Sequence, residues 1–266
     1  MAADPSSLDS AQTVSADQFN RQSDRYGKTH ILADTSDVVG ELTGIVPVPG
    51  ARALDVATGG GHTALCLARA GWNVTAGDIS ERMLENTTKL LAEEGLTLET
   101  SLFPAEEIPF PDASFDLVTV RVASHHFSSP ERFISEVVRV LKPDGYFLLI
   151  DGTVPENDPE TEVWLHKVEK LRDPSHGRFL SRAAWEGLIM SHGLTVLSST
   201  LHEKKQPDLN WYFETAATTP QNRALVLEAV TAIPPSVRSA LRLCEEEGKV
   251  VWWWPILHVL ARKSAY

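Results

Sequence analysis

The stretch LDVATGGGHTALCLA, residues 54–68, decides the fold. An apolar run ends in Asp55, three consecutive glycines follow at positions 59–61, and a helical pattern begins at once with His62. The run is too short for a helix and reads as a buried strand. Glycine has no Cβ and reaches positive φ at little cost, so a ligand can lie against bare N–H and C=O groups at such a bend. The next apolar run, WNVTAGD (72–78), closes on Asp78. A carboxylate about twenty residues past a glycine turn, at the end of a neighbouring strand, is placed to accept both hydroxyls of a ribose.

Outward from this unit the alternation continues. Ser80 can cap a helix whose apolar face carries Met83, Leu84, Thr87, Leu90 and Leu91. LTLETSLF (96–103), FDLVTVRV (115–122) and YFLLID (146–151) read as strands three to five. A helix opened by Ser129 and Pro130 precedes the fifth strand, and LKPDG joins them as a turn. Strands separated by helices imply an α/β protein with a parallel sheet covered on both faces. LTVLSSTLHE is a sixth strand, and residues 256–262 a seventh. Pro255 lacks an N–H and argues against a central strand position at that point. The helical patterns within 18–45 and 207–247 have no place in a simple layer and read as a cap over the sheet's carboxyl edge. Residues 1–17 carry neither a basic region nor an apolar h-region and read as a disordered leader. That leaves residues 18–266 as one domain.

Composition sets limits. The chain has 266 residues and a formal net charge of -12, which disfavours a nucleic-acid partner. No apolar run is long enough to span a membrane. The two cysteines, Cys66 and Cys244, fall in helical patterns outside any CxxC pair, and free buried thiols suit a reducing cytoplasm. The histidines show no ligand spacing such as HExxH, so no metal site is expected. Composition leaves a homodimer open.

The motifs LDVATGGGHTALCLA, GDIS, AEEIPFPDASFDLV, ASHHF and VLKPDGYFLLID occur in the order and spacing of class I S-adenosylmethionine-dependent methyltransferases. More narrowly the chain resembles the small-molecule enzymes related to ubiquinone and menaquinone biosynthesis, over about residues 45–200. The resemblance implies a Rossmann-like seven-stranded, mostly parallel sheet whose last strand is antiparallel and lies between strands five and six. It implies S-adenosyl-L-methionine as cofactor. Asp55, Ala57, Gly59 and Gly61 fill the first-strand motif, with Ala57 in place of the commoner glycine, tolerable if its φ is negative. Asp55 and the loop would hold the methionine end, Asp78 the ribose, and Ile79 the underside of the adenine. Ala105 and Glu106 would edge the adenine. Pro104 stands where many relatives carry an Asp that bonds the adenine amino group, leaving Glu106 or a backbone carbonyl as substitute. Arg121 and Val122 would line the methionine side.

A sulfonium methyl is already an activated electrophile, so the protein must chiefly place a nucleophile in line and exclude water. An acceptor that carries a proton also needs a base, and histidine has the suitable pKa. His125 and His126 follow strand four at the mouth of the site and are the first candidates. Phe19, Tyr26 and His30 belong to a segment that in relatives folds over the cofactor, where Tyr26 could close the pocket. His176 and Arg178 follow strand five and could recognise an anionic acceptor or pin the loop. Trp252, Trp253, Trp254, Trp211 and Phe213 read as packing or as an apolar acceptor pocket. The leading expectation is methyl transfer to a small apolar or aromatic molecule at O, C or N. The alternatives are a nicotinamide-dependent oxidoreductase on a related sheet and a non-catalytic cofactor-binding protein. The position of the last strand discriminates the first of these.

Overall fold

A computed structural model describes residues 8–26 and 31–264. His30 and residues 1–7 lie outside the described residues. Strand β1 (Arg52–Val56) pairs in parallel with β2 (Asn73–Asp78) and with β4 (Phe115–Arg121). Beyond β2 lies β3 (Glu99–Leu102), and beyond β4 lies β5 (Leu141–Gly152), both parallel. Strand β8 (Lys249–Lys263) is antiparallel to β5 on one side and to β6 (Leu194–Gln206) on the other. The sheet order is β3-β2-β1-β4-β5-β8-β6. This is the α/β, mostly parallel sheet expected, with the antiparallel strand between the fifth and sixth. A short strand, β7 (Cys244–Glu246), adds a hairpin on the first part of β8.

Both faces of the sheet are buried, as parallel strands require. On one face Leu54, Val118 and Leu149 pack with Phe133 and Val137 of α5 (Pro130–Val140) and Trp185 of α7 (Arg182–Ser191). On the other, Ala53, Val74 and Leu260 meet Leu67 of α3 (His62–Arg69) and Val38 of α2 (Ser36–Glu41). Helix α4 (Glu81–Glu93) starts where the hydroxyl of Ser80 accepts from Met83 N–H, 3.2 Å. A third core joins α6 (Pro159–Arg172), α8 (Leu209–Thr215), α9 (Pro220–Thr231) and α10 (Pro235–Ala240) around Tyr212 and Trp252.

Several local expectations are corrected. Residues 10–17 belong to helix α1 (Ser10–Gln22), not to a disordered leader. Asp9 and Gln12 form a capping box there, satisfying N–H groups at the helix start from both directions. The last strand begins well before residue 256 and runs through Pro255. The Pro255 carbonyl accepts from Thr153 N–H at 3.0 Å, so the ring nitrogen faces the β5 side just past Gly152, where that strand has ended. The missing donor therefore forfeits only the reciprocal bond at the end of this ladder. Cys244 lies on β7 and is exposed rather than in a helix; Cys66 is half-buried, and both thiols are free. No helix among the described residues is long and apolar enough to cross a membrane.

Candidate active site

The carboxyl ends of β1, β2 and β4 open into a cleft of about 890 Å³. The turn after β1 is built for close approach. Gly59 and Gly61 sit at φ +55° and +82°. A Cβ on Gly61 would come within 2.9 Å of the Thr87 side chain and Cα, so α4 packs directly on the bend. Ala57 also adopts positive φ, +54°, against the expectation of a negative value. An L-residue there costs about 1–2 kcal/mol relative to glycine. Asp55 and Thr58 hold the bend in place: the Thr58 hydroxyl donates to Asp55 Oδ2 (2.6 Å), and the Thr58 N–H to the Gly77 carbonyl (2.9 Å).

Two carboxylates flank the cleft. Asp55 also accepts from Thr119 Oγ1 of β4 at 2.7 Å, directly across the strand pair. Asp78 accepts the N–H of Gly59 (2.8 Å) and of Ser80 (2.9 Å), tying the tips of β1 and β2 together. Burial pushes both carboxyls up to about 6, with their hydrogen bonds opposing it. Ile79, Ala105 and Phe103 supply the apolar wall. Glu106 lines the cleft too, but its carboxylate is occupied. It accepts from Ser128 N–H (2.7 Å), from Ser129 N–H (3.2 Å) and from the Gln12 amide of α1 (2.9 Å). Arg121 lines the cleft with its stem. Its guanidinium turns to the N-terminal segment, donating to Asp37 (2.8 Å) and to the Leu32 and Asp34 carbonyls.

A second cavity of about 820 Å³ adjoins the first, and Tyr26, Leu32, Val122 and His126 belong to both walls. Val122 has φ +52°, a strained value for a β-branched residue, at the partition itself. Phe179, Trp211, Trp254 and Ile256 make the second cavity apolar; His125, Lys204, Glu169 and Arg172 supply its charge. Arg172 is spent internally, bonding Glu169, Thr215 and the Tyr212 carbonyl.

His125 and His126 occupy a single 3₁₀ turn, Ser124–His126, after β4. Asp151 of β5 organises it, accepting from the Ser124 hydroxyl, from His125 N–H (2.9 Å) and from His125 Nδ1 (2.7 Å). Burial lowers the His125 pKa, yet the Asp151 charge and hydrogen bond prevail and leave it above the usual imidazole value. The same pairing holds Asp151 below the usual carboxylate range despite burial. His126 behaves oppositely. Burial and the neighbouring His125 charge bring it down to about 4, so it is neutral near pH 7. Ser175 Oγ donates to Asp173 (2.6 Å), so it accepts from His126 Nδ1 (3.0 Å), which assigns the proton to Nδ1. The ring of Phe19 meets His126 edge-on at 4.9 Å.

His176 does not join them in the cavities. It is buried behind His125, ring centroids 5.5 Å apart, and burial depresses its pKa strongly. Its companion Arg178 pairs on the surface with Glu162. Motif reading passed over Asp151, which organises the His125 turn. The signal was available, because a carboxylate closing an apolar parallel strand is the pattern that marked Asp55 and Asp78.

Comparison with known proteins gives this geometry a family. Residues 54–149 match the methyltransferase domain. The solved structure of a candidate methyltransferase from Bacillus halodurans C-125 superimposes with a TM-score of 0.79 at 30% identity, covering 86% of this chain and 99% of that one. The chain belongs to the class I S-adenosylmethionine-dependent methyltransferases. The chain is also 39% identical over 144 residues to YcgJ of Bacillus subtilis (strain 168), an uncharacterized methyltransferase, spanning 54% of this chain and 56% of that one. Against the ubiquinone/menaquinone biosynthesis C-methyltransferase UbiE of Ralstonia pickettii, identity is 37% over 106 residues, 39% of this chain and 44% of that one. The chain thus spans only about half the length of the curated relatives it matches.

Proposed function

We propose that this chain transfers a methyl group from S-adenosyl-L-methionine to a small apolar or aromatic acceptor at O, C or N. The observation that carries the reading is the pair of adjoining cavities with Tyr26, Leu32, Val122 and His126 between them. The cofactor occupies the cleft at β1 and β2. Asp78 meets the ribose, Ile79 and Ala105 the adenine, and Asp55 with the glycine turn the methionine end. The acceptor occupies the second cavity against Trp211, Trp254 and Phe179. The cofactor supplies an activated methyl; the protein supplies alignment and a dry site, worth roughly 7–11 kcal/mol of barrier.

When the acceptor carries a proton at the reacting atom, His125 removes it. Asp151 fixes the Nδ1–H tautomer, leaving Nε2 to accept, and stabilises the imidazolium that results. His126, with its depressed pKa, is the poorer base and serves as a neutral aromatic wall beside the partition. His176 has no place in this reading. The acceptor is a small molecule rather than nucleic acid, and a reducing cytoplasm suits the two free thiols. Calorimetry with S-adenosylhomocysteine, followed by transfer of labelled methyl to a panel of phenols and quinols, tests it. Saturable cofactor binding and product with at least one acceptor are expected. Absence of cofactor binding at millimolar ligand overturns the proposal. Binding that persists while His125→Gln leaves transfer unchanged removes the base.

A further inference from the structure

Outside the lining of both cavities, three side chains from distant parts of the chain converge. Glu41 ends helix α2, His202 lies on β6 and His258 on β8. One potential ligand atom of each lies within 4.8 Å of the others. His258 is buried at 6% exposure, and its Nδ1 is 3.0 Å from Glu41 Oε1. His202 stacks on His258 with centroids 4.0 Å apart. The sheet explains the juxtaposition. Thr200 is directly opposite His258 and His202 opposite Ile256, so His202 and His258 are diagonal neighbours on one face.

We infer that Glu41, His202 and His258 form a binding site for a divalent transition ion of the zinc class. Two imidazoles and one carboxylate are the donor set borderline ions prefer, and a fourth position stays open to water. Ligands each about 2.1 Å from one ion lie roughly 3.4 Å apart, so a pair at the 4.8 Å limit closes by about 1.4 Å on binding, and one ring must swing out of the His202–His258 stack to aim its lone pair at the ion. His202 can provide that movement. It is exposed, and its Nε2 is held only by the Thr200 hydroxyl at 2.9 Å among the described residues. His258 and Glu41 are already in contact.

The site would act on the N-terminal segment. Glu41 and Asp37 are one turn apart on α2, and Asp37 pairs with Arg121 of the cofactor cleft. An ion on Glu41 pins α2 to β6 and β8 and steadies Asp37 against Arg121. The inference goes beyond methyl transfer and does not depend on it.

The test uses the full untagged chain. Equilibrium dialysis and calorimetry with zinc, and the visible spectrum with cobalt, are compared for the unaltered protein, His202→Ala and Glu41→Gln. Because His202 is exposed, its removal leaves the fold intact. One ion per chain is expected, with a loss of at least roughly 10-fold in affinity in each variant. Zinc should also slow amide exchange across α2 in the unaltered protein and not in His202→Ala. No stoichiometric uptake from excess zinc, or uptake that His202→Ala leaves unchanged, overturns the site.

Discussion

Asp78→Asn separates the observed job of one carboxylate from the proposed one. In the folded chain Asp78 accepts two backbone N–H groups, from Gly59 at 2.8 Å and Ser80 at 2.9 Å. Asparagine matches its shape but offers one oxygen, and its NH2 faces the other N–H. One buried donor is orphaned, at a cost of about 1–3 kcal/mol. For a domain of this size that lowers the thermal midpoint by roughly 2–12 °C. The ligand loses more specifically. A hydrogen bond from a ribose hydroxyl to a charged acceptor is worth about 1.5–3 kcal/mol, so affinity for S-adenosylhomocysteine should fall about 10- to 150-fold. Alanine would orphan both donors and threaten the fold itself, which makes asparagine the better probe. Calorimetry near pH 8 keeps the unaltered carboxyl ionised, since burial places its pKa at about 6. A variant that loses the expected stability yet binds the ligand as tightly as before would show that Asp78 only staples two strand tips, and the placement of the ribose would be wrong.

Three further outcomes follow from the same geometry. Asp55 is held above its unfolded value, to about 6, so the folded chain binds that proton more tightly. Its contribution is therefore fully present below about pH 4 and is lost as pH rises through about 6; the stability of the unaltered protein relative to Asp55→Asn, from urea midpoints across pH, should fall over that window, and a flat difference contradicts it. Asp151→Asn removes the charge that holds His125 up and leaves burial in command, so the His125 imidazole should titrate at lower pH by proton NMR, and an unmoved titration would dissolve the dyad. Gly61→Ala places a methyl within 2.9 Å of Thr87 at a φ of +82°, so the urea midpoint should drop by the equivalent of about 2–5 kcal/mol, left-handed strain and overpacking together.

The core of the fold was legible because its signals are local. The 54–68 unit, the acids ending β1 and β2, and the capped helices each announce themselves within a dozen residues or so, the scale on which hydrophobic period and capping act. What escaped was decided at a distance. Pro255 looked disqualified from an inner strand because its neighbours could not be seen; only the early end of β5 makes it harmless. Ala57 takes a left-handed φ because Asp55, Thr58 and Gly77 over-determine the bend, which no alanine propensity reveals. His176 and His125 look alike as letters. One has Asp151 beneath it and lines a cavity, and the other is sealed behind its neighbour. The helix at 10–22 was hidden by a polar surface, since it docks through side-chain bonds such as Gln12 to Glu106 and Asn20 to Ser80 rather than through an apolar stripe.

The sheet order has a bearing on how the molecule comes into being. Among the described residues strand β6 joins the rest of the sheet only through β8, and β8 is made some forty residues afterwards. During synthesis β6 must wait unpaired, its backbone bonded to water, while β1 to β5 can already zip together. A ribosome stalled before residue 249 would hold a half-built sheet carrying two sticky margins, and the wall bearing Trp254 and Ile256 would not yet exist. The second cavity can therefore close only once β8 has been made and has docked.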